Sequence, residues 1–431
     1  MSQGNNVHVA QNIWSGKRVL VTGVTGFVGS YLAAYLIKSG AEVFGLVRRR
    51  ADGRIPNNIL RHQIEDTLHS IQGDLLDFSS LLTTLHASQP DYVFHLAAQS
   101  FVPRSFESPL ETLLVNAQGT ANLLEAIRIG KTSPVLVHAG SSEEYGLVFA
   151  SERQYAAFRG QHPSLTAERV SIPEVPVRED NPLRPMSPYA VSKVQSDYLV
   201  RSHYHMYGLK GIVARSFNTE GNGRGTMFVT STLARQVARI VDGLDERVVI
   251  GNVNVFRDWS HVNDMVRGLC LIAEKGIPGE VYNQGSQRTN SVVTYLLMAL
   301  DAANFRVDRI RTFKHGKSVD DPLEQGASPI QGASFTSTKI DTLMLNGEIS
   351  FPIEDEGLWI ETDKQNIPVY FDPSRFRPAE VPILLADTAK IKSLGFSVQH
   401  SLSDIVSDQL AQFLNENHAG SQKNPQAAVL D

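Results

Sequence analysis

The chain has a single cysteine, Cys270, in 431 residues. An internal disulfide is thereby excluded, and the lone thiol is compatible with a reducing compartment. No apolar run approaches the ~18 residues of a membrane span. The first fifteen residues lack the basic-then-apolar layout of a secretory leader, so the expectation is a cytoplasmic protein with a flexible N-terminal tail over residues 1–16. Positive charge is also in short supply, with 40 Lys and Arg against 45 Asp and Glu and a net charge of −5. That balance argues against nucleic acid or a membrane surface as partner, and it makes any anion site a local matter. Metal-ligand spacing of His, Cys, Asp and Glu is missing too, so no metal is expected. What is there, 42% apolar and 20% charged residues, suits a chain that buries a large core.

The stretch Val19-Leu20-Val21-Thr22-Gly23-Val24-Thr25-Gly26-Phe27-Val28-Gly29-Ser30 joins a β-rich run to a helical pattern through three glycines. Glycine is needed where a side chain would block a tight strand-to-helix turn or hold backbone away from a pyrophosphate, which then rests on the helix N-terminus. An ordinary glycine turn is the competing reading. The run before the motif and the helical apolar spacing from Tyr31 to Gly40 favour the dinucleotide turn. A second strand over Glu42 to Val47 is followed by Arg48, Arg49 and Arg50 rather than by a carboxylate. An acidic residue there would bond a ribose 2′-hydroxyl, whereas arginine accommodates a 2′-phosphate, so NADP is expected over NAD. A solvated basic loop is the alternative. Asp74 ends a third short strand where it could hold an adenine amino group, with Leu75 next in the cofactor set. Asp91 to Ala98 reads as a strand buried on both faces of a parallel sheet. Leu96, Ala97 and Ala98 close it, the small alanines leaving room for a cofactor, while His95 inside it reads as a core residue.

Val135 to Ala139 is another buried strand. It delivers Gly140-Ser141-Ser142-Glu143-Glu144-Tyr145-Gly146 to the edge where open α/β sheets bind ligands. Downstream, Tyr189 and Lys193 are four residues apart on one helical face. An ammonium near a phenol favours the phenolate, the state a general base needs. The fold class expected is α/β, a Rossmann-type doubly wound parallel sheet with a smaller C-terminal α/β substrate-binding lobe. Residues 17–215 would form mainly the first, residues 216–415 mainly the second, and residues 416–431 a flexible tail.

Gly23-x-x-Gly26-x-x-Gly29, the strand-end Ser141 and Tyr189-x-x-x-Lys193 together resemble the extended short-chain dehydrogenase/reductases, which modify nucleotide sugars with a tightly held nicotinamide. More specific stretches are Val47-Arg48-Arg49, Ala98-Gln99-Ser100, Arg215 to Glu220, Arg224 to Thr230, Gly251 to Trp259 and Arg377 to Val381. These are similar to GDP-mannose 4,6-dehydratases and the related GDP-4-keto-6-deoxymannose reductases. The resemblance implies that Thr25, Phe27, Val28, Tyr189, Lys193 and Arg224 join the cofactor site. It also implies that Asn218 touches the sugar diphosphate and that Arg257 and Arg377 hold phosphates through paired, charge-assisted bonds. Ser100, Val229 and Glu380 belong to the same substrate site. An ion pair with Asp258 or Asp264 is the alternative for Arg257, whereas Arg377 has no evident partner.

In the mechanism so implied, Ser141, Tyr189 and Lys193 oxidise sugar carbon 4, and Glu143 removes the carbon-5 proton before water leaves carbon 6. Glu143 lies two residues past Ser141, and in an extended stretch it would point to the same side. Dehydratases carry threonine where Ser141 stands, more arginine than Gly221 to Arg224, and a lysine where this chain has Ser231-Thr232. Gly140 to Gly146 and Leu183 to Tyr189 look as much like the reductases. The readings are therefore an NADP-dependent nucleotide-hexose 4,6-dehydratase, a reductase consuming NADPH, a GDP-sugar epimerase, or a silent NADP-binding scaffold. Apolar residues in excess of one sheet face over 109–129 and 189–207 imply a homodimer or tetramer. Residues 147–176 and 315–372 exceed the family's usual length and are expected to be surface excursions near the substrate mouth.

Overall fold

The structure is a computed structural model that describes residues 12–161, 172–327, 330, 337–377 and 380–423. Its first layer is a seven-stranded parallel sheet. It contains β1 (Arg18–Thr22), β2 (Glu42–Val47), β3 (His69–Gln72), β4 (Tyr92–His95), β5 (Val135–Ser141), β6 (Gly211–Ser216) and the strand Val281–Gln284. The spatial order is Val281–Gln284, β6, β5, β4, β1, β2, β3. Chain direction across the sheet reverses between β1 and β4, and ligands bind at the carboxyl edge of such a switch point. The near-continuous apolar runs follow from burial on both faces. Val19, Val21, Phe94, Val137 and Ile212 face one core, and Leu20, Val93, Leu136 and Val213 the other, as the two-residue period of a strand requires.

The second lobe is built on a five-stranded sheet ordered Ser318–Asp320, Val307–Thr312, Gly357–Thr362, Asn366–Phe371, Val248–Ile250. The helices Val229–Val241, Val292–Ala302 and Leu402–Lys423 pack on it, burying Leu233, Val237, Leu296, Leu300, Ile405 and Leu410 in one core. The chain does not divide cleanly at 215. The helix Val262–Lys275 and the strand Val281–Gln284 return to the first layer.

Four expectations change here. The segment 315–372 is no surface excursion, because its strands Gly357–Thr362 and Asn366–Phe371 pair antiparallel and bury Leu358, Ile360, Ile367 and Val369 completely. Within 147–176, Leu147, Val148, Phe149 and Val175 are buried, and Glu174 forms a bidentate pair with Arg184 at 2.8 and 2.9 Å; residues 162–171 lie outside the described residues. The tail over 1–16 is anchored from Asn12 onward. Trp14 is buried edge-on against Tyr92, ring centroids 5.0 Å apart, while residues 1–11 lie outside the described residues. At the other end the helix Leu402–Lys423 runs through much of the expected tail, and residues 424–431 lie outside the described residues.

Candidate active site

The glycine turn has the shape a dinucleotide needs. Gly23 has φ +74°, and a Cβ there would stand 2.7 Å from the Ala97 nitrogen. One at Gly29 would stand 2.2 Å from the Gly23 carbonyl oxygen. Only glycine permits this strand-to-helix approach. Gly26 caps the helix Phe27–Lys38 without a side-chain hydrogen bond, leaving the first N–H groups to an anion. The cradle therefore fits a pyrophosphate. At the end of β2, Arg48 and Arg49 are exposed, and among the described residues neither has an ion-pair partner, whereas Arg50 pairs with Asp52 at 2.8 Å. Asp74 Oδ1 accepts the Leu76 N–H at 2.9 Å, and Leu75 is buried beneath Gly119. His95 sits between the hydroxyls of Thr22 and Thr120, at 2.8 and 2.9 Å; it is a satisfied core residue.

Ser141 ends β5, and its Oγ accepts the Glu143 N–H at 3.2 Å. Tyr189 lies one residue into the helix Pro188–Tyr207, whose first turn is capped by Ser187, and its hydroxyl stands near the Ser141 side chain. Burial raises Tyr189 to about 12, with Ser141 opposing and the Glu143 charge reinforcing the rise. The phenol is therefore not pre-ionised. Lys193 Nζ donates to the Ala139 carbonyl at 2.8 Å and lies 5.9 Å from the Tyr189 ring centroid; the charge that opposes burial at the phenol is Arg224, not the expected ammonium. Burial also lowers Lys193 to about 8. Glu143 reaches the site by a different route from strand alternation. Ser142–Glu144 is one turn of 3-10 helix, and this turn swings Glu143 toward Tyr189 and Arg257, both of which feel its charge.

A cavity of about 820 Å³ opens between the sheet's carboxyl edge and the second lobe. Val28, Ser100, Ser141, Glu143, Tyr189, Asn218, Arg224, Val229, Arg257, Arg377 and Glu380 all line it. The rest of the expected cofactor set, Lys193 included, lies outside that lining. Arg257 is buried and pairs with Glu380 at 3.0 Å; it also donates to the carbonyls of Phe256 and Val381 at 2.9 and 2.7 Å. Asp258 and Asp264 are engaged elsewhere, with Ser286 and with Arg267 and His400. Arg377 does have a partner, the same Glu380, at 3.8 Å. Arg224 stacks on Phe228, 3.5 Å from the ring centroid, and its buried Nε has no hydrogen-bond partner among the described residues.

Residues 19–285 match the sequence pattern of the NAD dependent epimerase/dehydratase family. The chain belongs to that family. A GDP-mannose 4,6-dehydratase from Yersinia enterocolitica is 32% identical over 412 residues, covering 93% of this chain and 94% of its own. A GDP-mannose 4,6 dehydratase from Drosophila melanogaster is 30% identical, covering 91% and 85%. Among solved structures, DesIV, a dTDP-glucose 4,6-dehydratase from Streptomyces venezuelae with NAD and TYD bound, superposes with TM-score 0.65. It is 22% identical and covers 94% of this chain and 98% of that one. RMD from Pseudomonas aeruginosa complexed with NADPH gives TM-score 0.63 at 24% identity, covering 93% and 99%.

In this epimerase/dehydratase chain, sequence reasoning overlooked a buried layer behind Ser141. Arg215 Nε joins Glu144 and Asp197 there. The signal was present as an arginine in the otherwise apolar run of β6 and an aspartate one helical turn beyond Lys193, since buried charges occur in groups. Phe228 was overlooked as well, although it carries Arg224.

Proposed function

We propose that this family member is an NADP-dependent nucleotide-sugar 4,6-dehydratase acting on GDP-mannose. The observation that carries the reading is a carboxylate, Glu143, in the same cavity as the Ser141–Tyr189 pair, where carbon 5 of a sugar oxidised at carbon 4 could meet it. The names of relatives at 30–32% identity over most of the chain agree with it.

When bound, the nicotinamide ring supplies a reversible hydride acceptor. Tyr189 takes the proton of the carbon-4 hydroxyl while Ser141 orients that oxygen. Lys193, protonated below about 8, holds the ribose side and stabilises the developing phenolate. The resulting ketone acidifies carbon 5. Glu143 removes that proton, the carbon-6 hydroxyl leaves as water, and hydride addition at carbon 6 with protonation at carbon 5 completes the cycle. Arg257 and Arg377 hold the diphosphate, and Glu380 lies beside both guanidinium groups. Asn218, Ser100 and Val229 shape the sugar side, while Arg48 and Arg49 read the 2′-phosphate of NADP.

The reductase reading is favoured by Ser141 and the run Gly140 to Gly146, and the two readings share every group except the need for Glu143. Incubation with GDP-mannose and NADP⁺ separates them. A dehydratase yields a 4-keto-6-deoxy sugar nucleotide without net consumption of cofactor, whereas a reductase yields none and consumes NADPH on a supplied 4-keto sugar.

A further inference from the structure

Three charged side chains stand behind the Ser141–Tyr189 pair without a part in the chemistry above. Glu144, Asp197 and Arg215 are buried, at 0%, 0% and 2% exposure, and come from the turn after β5, the Tyr189–Lys193 helix and β6. Glu144 Oε1 accepts the Ser141 N–H at 2.7 Å. The same oxygen explains Gly140, where a Cβ would lie 2.8 Å from it. Arg215 Nε lies 3.1 Å from Glu144 Oε2 and 2.9 Å from Asp197 Oδ2. Its Nη1 donates to the Tyr145 hydroxyl at 3.0 Å and the Glu179 carbonyl at 3.2 Å. Arg201 covers the outer oxygen of Asp197 at 2.6 Å.

Nε of an arginine carries one hydrogen, yet oxygens of two carboxyl groups converge on it. In a dry interior two carboxylates so placed repel even with arginines beside them, and a proton on Glu144 removes the repulsion. The cluster also joins the Ser141 backbone to the Tyr189 helix, the two bodies whose alignment hydride transfer requires.

We propose that Glu144 is a positioning residue whose buried carboxyl group, tied through Arg215 to Asp197, locks the Ser141 amide to the Tyr189 helix and so sets the Ser141 hydroxyl against Tyr189. The proposal rests on reading Ser141 and Tyr189 as the hydride-transfer pair. Burial pushes Glu144 up to about 8, with Asp197 adding to the rise and Arg215 opposing it. The groups facing the cluster are Lys193, Tyr189 and Arg201 on the shared helix, Arg215 on β6, Tyr145 on the turn itself and Glu179 beside it. Above that range Glu144 loses its proton, and its repulsion with Asp197 loosens the tie.

Two variants of the full chain test this. Glu144→Gln keeps an acceptor for the Ser141 N–H and a donor toward Asp197 but cannot ionise; Glu144→Leu removes both. Turnover is followed against pH with GDP-mannose, and in parallel with a 4-keto-6-deoxy sugar nucleotide plus NADPH, so failure of the dehydratase reading leaves the comparison intact. Wild-type kcat should fall steeply as pH rises through about 8, where Glu144 and Lys193 both lose a proton. Glu144→Gln should hold neutral-pH kcat within about threefold and leave the shallower, one-proton fall of Lys193. Glu144→Leu should lower kcat at least about tenfold with little change in KM, the cost of a buried amide left unpaired. Infrared spectra without substrate should show a carboxylic-acid band that vanishes in alkali and is missing from Glu144→Gln. A glutamine variant as impaired as the leucine one, an alkaline fall as steep in glutamine as in wild type, or the absence of that band overturns the proposal. If neither substrate turns over, the function proposed above fails, and the infrared band alone decides the Glu144 proton.

Discussion

At the scale of single residues, the role proposed for Glu143 is what separates dehydration from plain redox chemistry. Glu143→Gln keeps shape and removes basicity. Dehydration should fall about 10²–10⁴-fold, the contribution of a positioned general base, while oxidation at carbon 4 persists and reduced cofactor accumulates. Equal loss of both steps, read by absorbance of the reduced nicotinamide against product, would contradict that role. Glu144 makes a prediction about stability. Its folded pKa of about 8 exceeds its ordinary value of 4.5, so the folded protein binds this proton more tightly than the unfolded chain does. The associated stability is complete below about pH 4.5 and is lost as pH rises through about 8. Melting of the wild type should therefore decline across that window relative to Glu144→Gln; parallel curves would refute it. Residues were legible where chemistry is local. The glycines at 23, 26 and 29 announce their turn because steric need is read from neighbours. The Glu144–Arg215 contact spans 71 positions, and nothing beside either residue names its partner.

At the scale of elements, parallel strands that run from one glycine or polar break to the next were readable because burial on both faces makes them nearly all apolar. The pair Gly357–Thr362 and Asn366–Phe371 was not. Antiparallel strands with one face buried alternate, and six residues of alternation among Gly, Ser and Asp clusters resemble a loop. Their burial makes the segment part of the second lobe's core, so Ile360→Ala should cost about 2–5 kcal/mol of stability and lower the denaturation midpoint. A variant within error of wild type would restore the view of this segment as an appended loop. The turn Ser142–Glu144 holds the same lesson on a smaller scale: Glu143 was placed at the site for the wrong geometric reason, because three residues of 3-10 helix leave no periodic trace.

At the scale of the whole molecule, the cavity forms only where the sheet edge meets the second lobe, so both halves supply it. The helices over 109–129 and 188–207 carry exposed Leu110, Leu114, Val191 and Tyr198 on surface that one sheet does not cover. Such a patch calls for a second copy of the chain, and light scattering should give a dimer or tetramer at micromolar concentration; a monomer would contradict this. The most direct test of the function is conversion of GDP-mannose by the full-length protein with NADP⁺ in deuterated water. The account predicts a 4-keto-6-deoxy product with deuterium at carbon 5, no net cofactor reduction, and loss of that product in Glu143→Gln. Unchanged GDP-mannose, with NADPH consumed instead on a supplied 4-keto sugar, would contradict it.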